Sequence, residues 1–159
     1  MKRLISLTAA ALAGSLLATS AMAADEWILG LNMAKTGFLK SSGETTETAV
    51  DIAVAEINAA GGIKGKMIRV VKFDTGSDPK QAQVATRTLA EDHDALAIIG
   101  PFSSGEARVA FGAGERIGIV QIPNAASTPG LAKDKPFAFR VTEDEGKPLN
   151  RMLSSLTRK

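Results

Sequence analysis

The chain has 159 residues, 45% of them hydrophobic, a formal charge of +2 and no cysteine. That length and apolar content suffice for one domain with its own core, while the lack of Cys excludes disulfides, thiolate metal sites and a thiol nucleophile. The charge argues against nucleic acid as a partner: Lys2 and Arg3 lie in a leader, and without them 17 basic residues face 17 acidic ones, with no basic block and no aromatic–basic interleaving.

Residues 1–23 read as a secretory signal. Lys2 and Arg3 are followed by an uncharged stretch from Leu4 to Ala18, and Ala21-Met22-Ala23 has the small-x-small form of a cleavage site, which predicts cleavage after Ala23 and a periplasmic mature chain of residues 24–159. A membrane anchor is the competing reading; the stretch is rich in Ala, Ser and Thr, and the cleavage site follows at once. With no Cys, an acylated anchor is not available.

Glu26–Ala34 (EWILGLNMA) reads as a first, buried strand, and Thr36-Gly37 as a turn. A helix is predicted from about Ser42–Thr45 to Gly61-Gly62, with Val50, Ala53, Ile57 and Ala60 on its inner face and a glycine as left-handed stop. A tight turn at Lys64-Gly65-Lys66 leads to strand two, Met67–Phe73. Asp78 then Pro79 predict an N-cap and first helical residue, with Ala82, Ala85 and Leu89 facing inward. Ala95–Ile99 is strand three, and a helix follows from Gly105 to about Arg116. Ile117–Ile122 holds strand four, Phe137–Val141 strand five, and Glu143–Thr157 a last helix. Trp27 and Phe111 read as core. The alternation predicts an α/β fold, a parallel sheet with helices on both faces and right-handed crossovers. Ligands in such sheets lie beyond the carboxyl ends of the strands, at a topological switch point.

That rule selects three loops. In Gly100–Gly105 (GPFSSG), Ser104 is placed as the helix N-cap, where its hydroxyl and the free N–H groups suit an anion or serve only the helix. Pro123–Gly130 (PNAASTPG) is a small-residue loop able to offer backbone and hydroxyl groups, or a plain connection. The loop after strand one carries Lys35 and Lys40, read as solvated charges rather than ligand contacts, and lacks the phosphate-loop pattern.

Enzymatic readings find little support. The Gly112–Gly118 run stands at a helix end with the wrong spacing for a dinucleotide fingerprint, and its glycines read as helix caps. Asp74 and Asp78 are explained by a turn and an N-cap, and the single His93 by a solvated acidic loop. No GxSxG elbow exists.

In order, TGFLKSSG, EINAAGGIKG, DTGSDPKQA, IIGPFSSG, IPNAASTPGL and FAFRVTEDE resemble the leucine/isoleucine/valine-binding proteins, type I periplasmic receptors of ABC importers, along essentially the whole chain after the leader. The resemblance implies a non-enzymatic receptor without cofactor or metal, delivering a bound amino acid or related small carboxylate to an inner-membrane ABC permease. It also implies that a serine after strand three and the loop after strand four hold the ligand's carboxylate and ammonium. Matched by motif, these are Ser104, with Ser103 the near alternative, the backbone of Ala125, and the hydroxyl and backbone of Ser127. Phe102 shares the first of these loops. Ser42 stands where some relatives place an aromatic cover, and the chain has no Tyr, a departure at the position bearing on side-chain specificity.

Family members are well over twice this long and close two lobes around the ligand. The resemblance therefore implies that residues 24–142 are the N-terminal lobe, incomplete, and that 143–159 begin the crossover and lobe two. The chain is read as an N-terminal fragment whose second lobe is missing or on another chain. Half a cleft is expected to bind weakly or not at all. The alternatives are a free periplasmic sensing module reporting to a membrane partner, and a non-functional remnant.

Overall fold

The computed structural model of the chain describes residues 26–157; the expected leader and its cleavage site lie outside them. Four parallel strands, β1 (Trp27–Met33), β2 (Ile68–Asp74), β3 (Ala97–Ile99) and β4 (Val120–Ile122), form one sheet in the order β2-β1-β3-β4. The helices are α1 (Lys40–Ala59), α2 (Pro79–Arg87, continued by a π turn over Thr88–Asp92), α3 (Ser104–Ile117) and α4 (Gly146–Thr157). This is the α/β architecture expected from the alternation, a parallel sheet with helices on both faces. No helix of the described residues is long and apolar enough to cross a membrane.

Local chemistry explains most boundaries. Asp78 accepts the N–H of Lys80 at 2.7 Å and Pro79 follows as the first helical residue, so α2 starts where the sequence places it. Its Ala82 and Ala85, with Leu89 of the π turn, are fully buried. The turn before β2 has Lys64 and Gly65 at φ of 54° and 78°, and Ile63 and Lys66 exchange both backbone hydrogen bonds. Two left-handed central residues make it a primed hairpin turn.

The sheet's two faces differ. Leu89, Ile98 and Ile119, with Val71 and Phe73, form one core cluster beneath the α2 and α3 side. Leu31, Met33 and Val50, with Leu29, Val70 and Phe102, form another beneath α1. A buried polar chain crosses the first face: Asn32 Nδ2 donates to Ala82 O (2.9 Å) and Thr86 Oγ1, which lies 3.1 Å from Gln121 Oε1, while Gln121 Nε2 donates to Ala110 O. Buried polar groups persist when partnered, and this chain joins β1 and β4 to both helices.

Several expectations need correction. Helix α1 begins at Lys40, not at Ser42–Thr45; it has no side-chain cap, and the N–H of Leu39 is taken by Ser77 Oγ instead. A long-range partner of that kind leaves no local signal. On α1 only Val50 of the four expected inward residues is buried; Ala53, Ile57 and Ala60 are exposed. Strand four loses its first three residues because α3 runs to Ile117 and Gly118 closes it in the left-handed conformation, φ 84°. Strand five shrinks to a single bridge between Gln121 and Ala138, because Arg140 turns away to donate to Thr128 O. The helix expected from Glu143 starts at Gly146. Phe111 is fully buried, but Trp27 is half-exposed, its indole N–H on Ile63 O and Lys66 over its ring.

Candidate functional site

In the order β2-β1-β3-β4, the chain leaves β1 toward one side and β3 toward the other, so the switch point lies between β1 and β3. The loops after β1, β3 and β4 gather at that end, where ligands of open parallel sheets bind.

The loop after β1 is anchored rather than presented. Asp74 Oδ1 accepts the N–H groups of Lys35 (2.8 Å), Thr36 and Gly76, and its Oδ2 accepts the Thr36 hydroxyl. Partial burial pushes Asp74 upward, but the Gly76 N–H, the Thr36 hydroxyl and the Lys35 and Thr36 amides together hold it below the usual carboxylate range. Lys35 pairs with Glu47 and Lys40 with Glu44, so both lysines serve α1.

The loop after β3 approaches β1 closely. Gly100 has φ of 94°, and a Cβ there would lie 2.0 Å from Asn32 O, so no other residue fits without a shift. The N-cap of α3 is Ser103, not Ser104 as expected: Ser103 Oγ accepts the Glu106 N–H, and the Glu106 carboxylate receives both the hydroxyl (2.7 Å) and the N–H of Ser103. This reciprocal capping box uses the Ser103 hydroxyl proton and its N–H. Glu106 is 1% exposed and its other oxygen takes the Thr75 hydroxyl at 2.7 Å. Ser104, released from capping, sits in the first turn of α3, and its Oγ accepts the N–H of Thr128 at 3.2 Å. Phe102 packs on the α1-side core cluster.

The loop after β4 is held by a clasp. Arg140 donates to Thr128 O (2.9 Å), Thr142 to Ala126 O (3.1 Å), Gly130 N–H to Asp144 Oδ2 (3.1 Å), and Glu145 N–H to Ser127 O (3.1 Å). The Ser127 hydroxyl donates to Glu145 Oε1. The Gly130 N–H, outweighing slight desolvation and aided by Gly146 N–H and Arg140, keeps Asp144 below the usual carboxylate range. Asn124 Nδ2 donates to Thr46 Oγ1 at 2.8 Å, and Thr46 donates to Ser42 O. Asn124 Oδ1 is buried without a partner among the described residues.

The structure thus brings Ser104 and the Ser127-Thr128 pair together and sets Ser103 beside them as a cap. Ala125 is half-buried in the same loop, and Ser42 joins it only through Thr46 and Asn124. Thr128, Glu145, Arg140, Asp144 and Asn124 were missed by sequence reasoning; the acidic Glu143-Asp144-Glu145 run before a glycine was the available signal.

The two hydroxyls have opposite polarity. Ser104 Oγ already accepts, so its own proton is free to donate. Ser127 already donates, so its lone pairs are free to accept. The α3 N-terminus adds positive potential on the Ser104 side, and Glu145 adds negative charge on the Ser127 side. The pair suits a ligand with an anionic and a cationic group side by side. A cavity of about 480 Å³ touching Trp27, Leu96 and Ile117 lies at the opposite, amino-terminal end of the strands, away from these groups.

Comparison with known proteins identifies the family and the fold. The periplasmic binding protein family matches residues 27–159. The chain is 38% identical over 110 residues to the Leu/Ile/Val-binding protein of Escherichia coli (strain K12), covering 69% of the chain and 30% of that protein. It is 32% identical over 119 residues to an amino acid binding protein of Pseudomonas aeruginosa, 75% of the chain and 32% of the relative. Among solved structures it superposes with TM-score 0.73 and 33% identity on the branched-chain amino acid transporter substrate-binding protein of Streptococcus pneumoniae in complex with isoleucine, covering 75% of the chain and 34% of the other. The chain therefore spans about a third of the length of these relatives.

Proposed function

The chain belongs to the periplasmic binding protein family, and we propose that it binds an amino acid or related small carboxylate through Ser104, Ala125 and Ser127, as the receptor component of an ABC importer. The opposite polarity of Ser104 and Ser127 carries this reading. The carboxylate lies at Ser104 and the first turn of α3; the ammonium lies at Ser127, with Glu145 behind it. The protein performs no chemistry of its own. It works in the periplasm, and ATP hydrolysis belongs to a partner at the inner-membrane permease.

Residues 24–142 supply the N-terminal lobe, and residues 143–159 begin the crossover to a second lobe, which sits on the remainder of a longer chain or on another chain. One wall of a cleft leaves the ligand hydrated on its far side. Charge-assisted hydrogen bonds gain most when water is excluded, so the chain alone binds weakly, with dissociation constants above roughly the micromolar range.

Calorimetric titration of residues 24–159 with leucine, its amide and its deaminated acid tests the reading. Leucine is expected to bind best, because each analogue lacks one of the two charges. An equal response to all three, or dissociation in the micromolar range or tighter, would contradict it.

A further inference from the structure

Among the buried polar residues of the described chain, Glu106 alone is ionisable. Burying a carboxylate is costly unless it is paired or well hydrogen-bonded, and a neutral side chain in such a place often stabilises a protein. No Lys, Arg or His of the described residues forms an ion pair with Glu106. Its partners are two hydroxyls and one N–H. Ser103 donates from Oγ (2.7 Å) and from its N–H to Oε2, and Thr75 donates from Oγ1 (2.7 Å) to Oε1. A capping box works without burial, so the helix end alone does not explain a carboxylate kept out of water at the ligand end of the sheet.

We propose that Glu106 is a positioning residue for the ligand's carboxylate: it holds Ser103 as the cap of α3 and so turns Ser104 toward the loop after β4. The role rests on the proposed ligand site at Ser104. Two adjacent serines compete for one cap. With Ser103 as cap, the third helical residue is Glu106, which returns a hydrogen bond; with Ser104 as cap it would be Ala107, which cannot. Glu106 also takes the Ser103 proton, so Ser104 is the hydroxyl of this pair left to donate to a ligand. Its oxygen is held on the Thr128 N–H instead of on the helix end.

The same carboxylate reaches the neighbouring loops. Thr75 Oγ1 accepts the Ser77 N–H at 3.3 Å, and Ser77 Oγ accepts the Leu39 N–H and donates to Thr36 O, both at 3.0 Å. One buried group thus ties the first turn of α3 to the loops after β1 and β2. A buried polar network whose members are partnered fixes one arrangement. A buried charge breaks a rule that folding alone would keep, and such breaks are expected where function demands position.

NMR titration of residues 24–159 with leucine and with its amide tests the proposal in wild type, Glu106→Ala, Ser103→Ala and Glu106→Gln. Wild type is expected to prefer leucine. Glu106→Ala and Ser103→Ala are each expected to cut that preference roughly tenfold, because Ser104 turns to the helix end and its charge-assisted donation is lost. Ser103→Ala is the milder change and decides the matter if Glu106→Ala does not fold. Glu106→Gln keeps an acceptor for Ser103 and is expected to retain the preference. Thr86→Val is the control: it removes buried hydrogen bonds elsewhere, and a loss of stability alone leaves the preference unchanged. Before ligand is added, the Thr128 amide is expected to exchange with solvent roughly tenfold faster in Glu106→Ala and Ser103→Ala, relative to the Gly100 amide bonded to Ile122 O. A preference for leucine that survives in both variants, or an unchanged Thr128 amide, would overturn the positioning role. A wild type that does not distinguish leucine from its amide, with Thr128 responding as expected, would contradict the proposed ligand and uphold the positioning of Ser104.

Discussion

Ser104 Oγ accepts the backbone N–H of Thr128 across 3.2 Å, tying the first turn of α3 to the loop after β4. This contact fixes both loops in one geometry and leaves the serine proton free. Ser104→Ala is expected to cost about 0.5–1.5 kcal/mol of stability, the usual net value of one hydrogen bond. It should also lower ligand affinity by roughly tenfold through loss of a charge-assisted donor. Urea unfolding and calorimetry on the same sample separate the two effects.

Glu106 is buried between the Ser103 cap and the Thr75 hydroxyl. Glu106→Ala removes the capping box and strands a buried hydroxyl, so a loss of about 2–4 kcal/mol is expected from those two principles together. Glu106→Gln keeps one acceptor and a cap-forming side chain, and should cost about half as much. Midpoints of urea denaturation check the order.

Asp74 links the loops after β1 and β2, and its folded pKa lies below the ordinary value because four hydrogen bonds outweigh desolvation. A depressed carboxylate contributes stability above its unfolded pKa, about 4, and loses it as pH falls through the folded value. Thermal stability should therefore fall on acidification below about pH 4, and Asp74→Asn should flatten that slope. Glu47, held down chiefly by its hydrogen bond from Lys72, and Asp144 titrate in the same direction, so the difference between wild type and variant is the quantity that reports Asp74.

Gly43 lets α1 touch β1's end: a Cβ there would meet Ala34 O at 1.7 Å. Backbone cannot yield as a flexible side chain does. Gly43→Ala, which an isolated helix would favour, is expected instead to destabilise the protein by about 1–3 kcal/mol or more, as over-packing does. Denaturant unfolding of this single variant distinguishes the two signs.

Features with local causes were legible in the sequence. Asp78-Pro79, the Lys64-Gly65 turn and the inward face of α2 depend on neighbours within one helical turn, and each stands where the residues put it. Features with distant causes were not. The start of α1 depends on Ser77, 38 residues from Leu39, and the end of strand five on Arg140 reaching Thr128. Ser103 and Ser104 are identical residues side by side, and only the buried Glu106 decides which one caps. The outward Ala53 and Ile57 carried a helical pattern that the described chain does not cover. The three candidate loops followed from the strand order rule, whereas Glu145 behind Ser127 required the clasp.

Amide NMR of residues 24–159 titrated with leucine tests the central claim most directly, because it detects binding even in the millimolar range expected of a single lobe. The account predicts saturable shifts confined to the amides of Phe102–Gly105 and Asn124–Thr128, with a midpoint moved to roughly tenfold higher leucine by Ser104→Ala. Shifts clustered elsewhere, for instance around Trp27 and Ile117, or no saturable change at any ligand concentration, would contradict it.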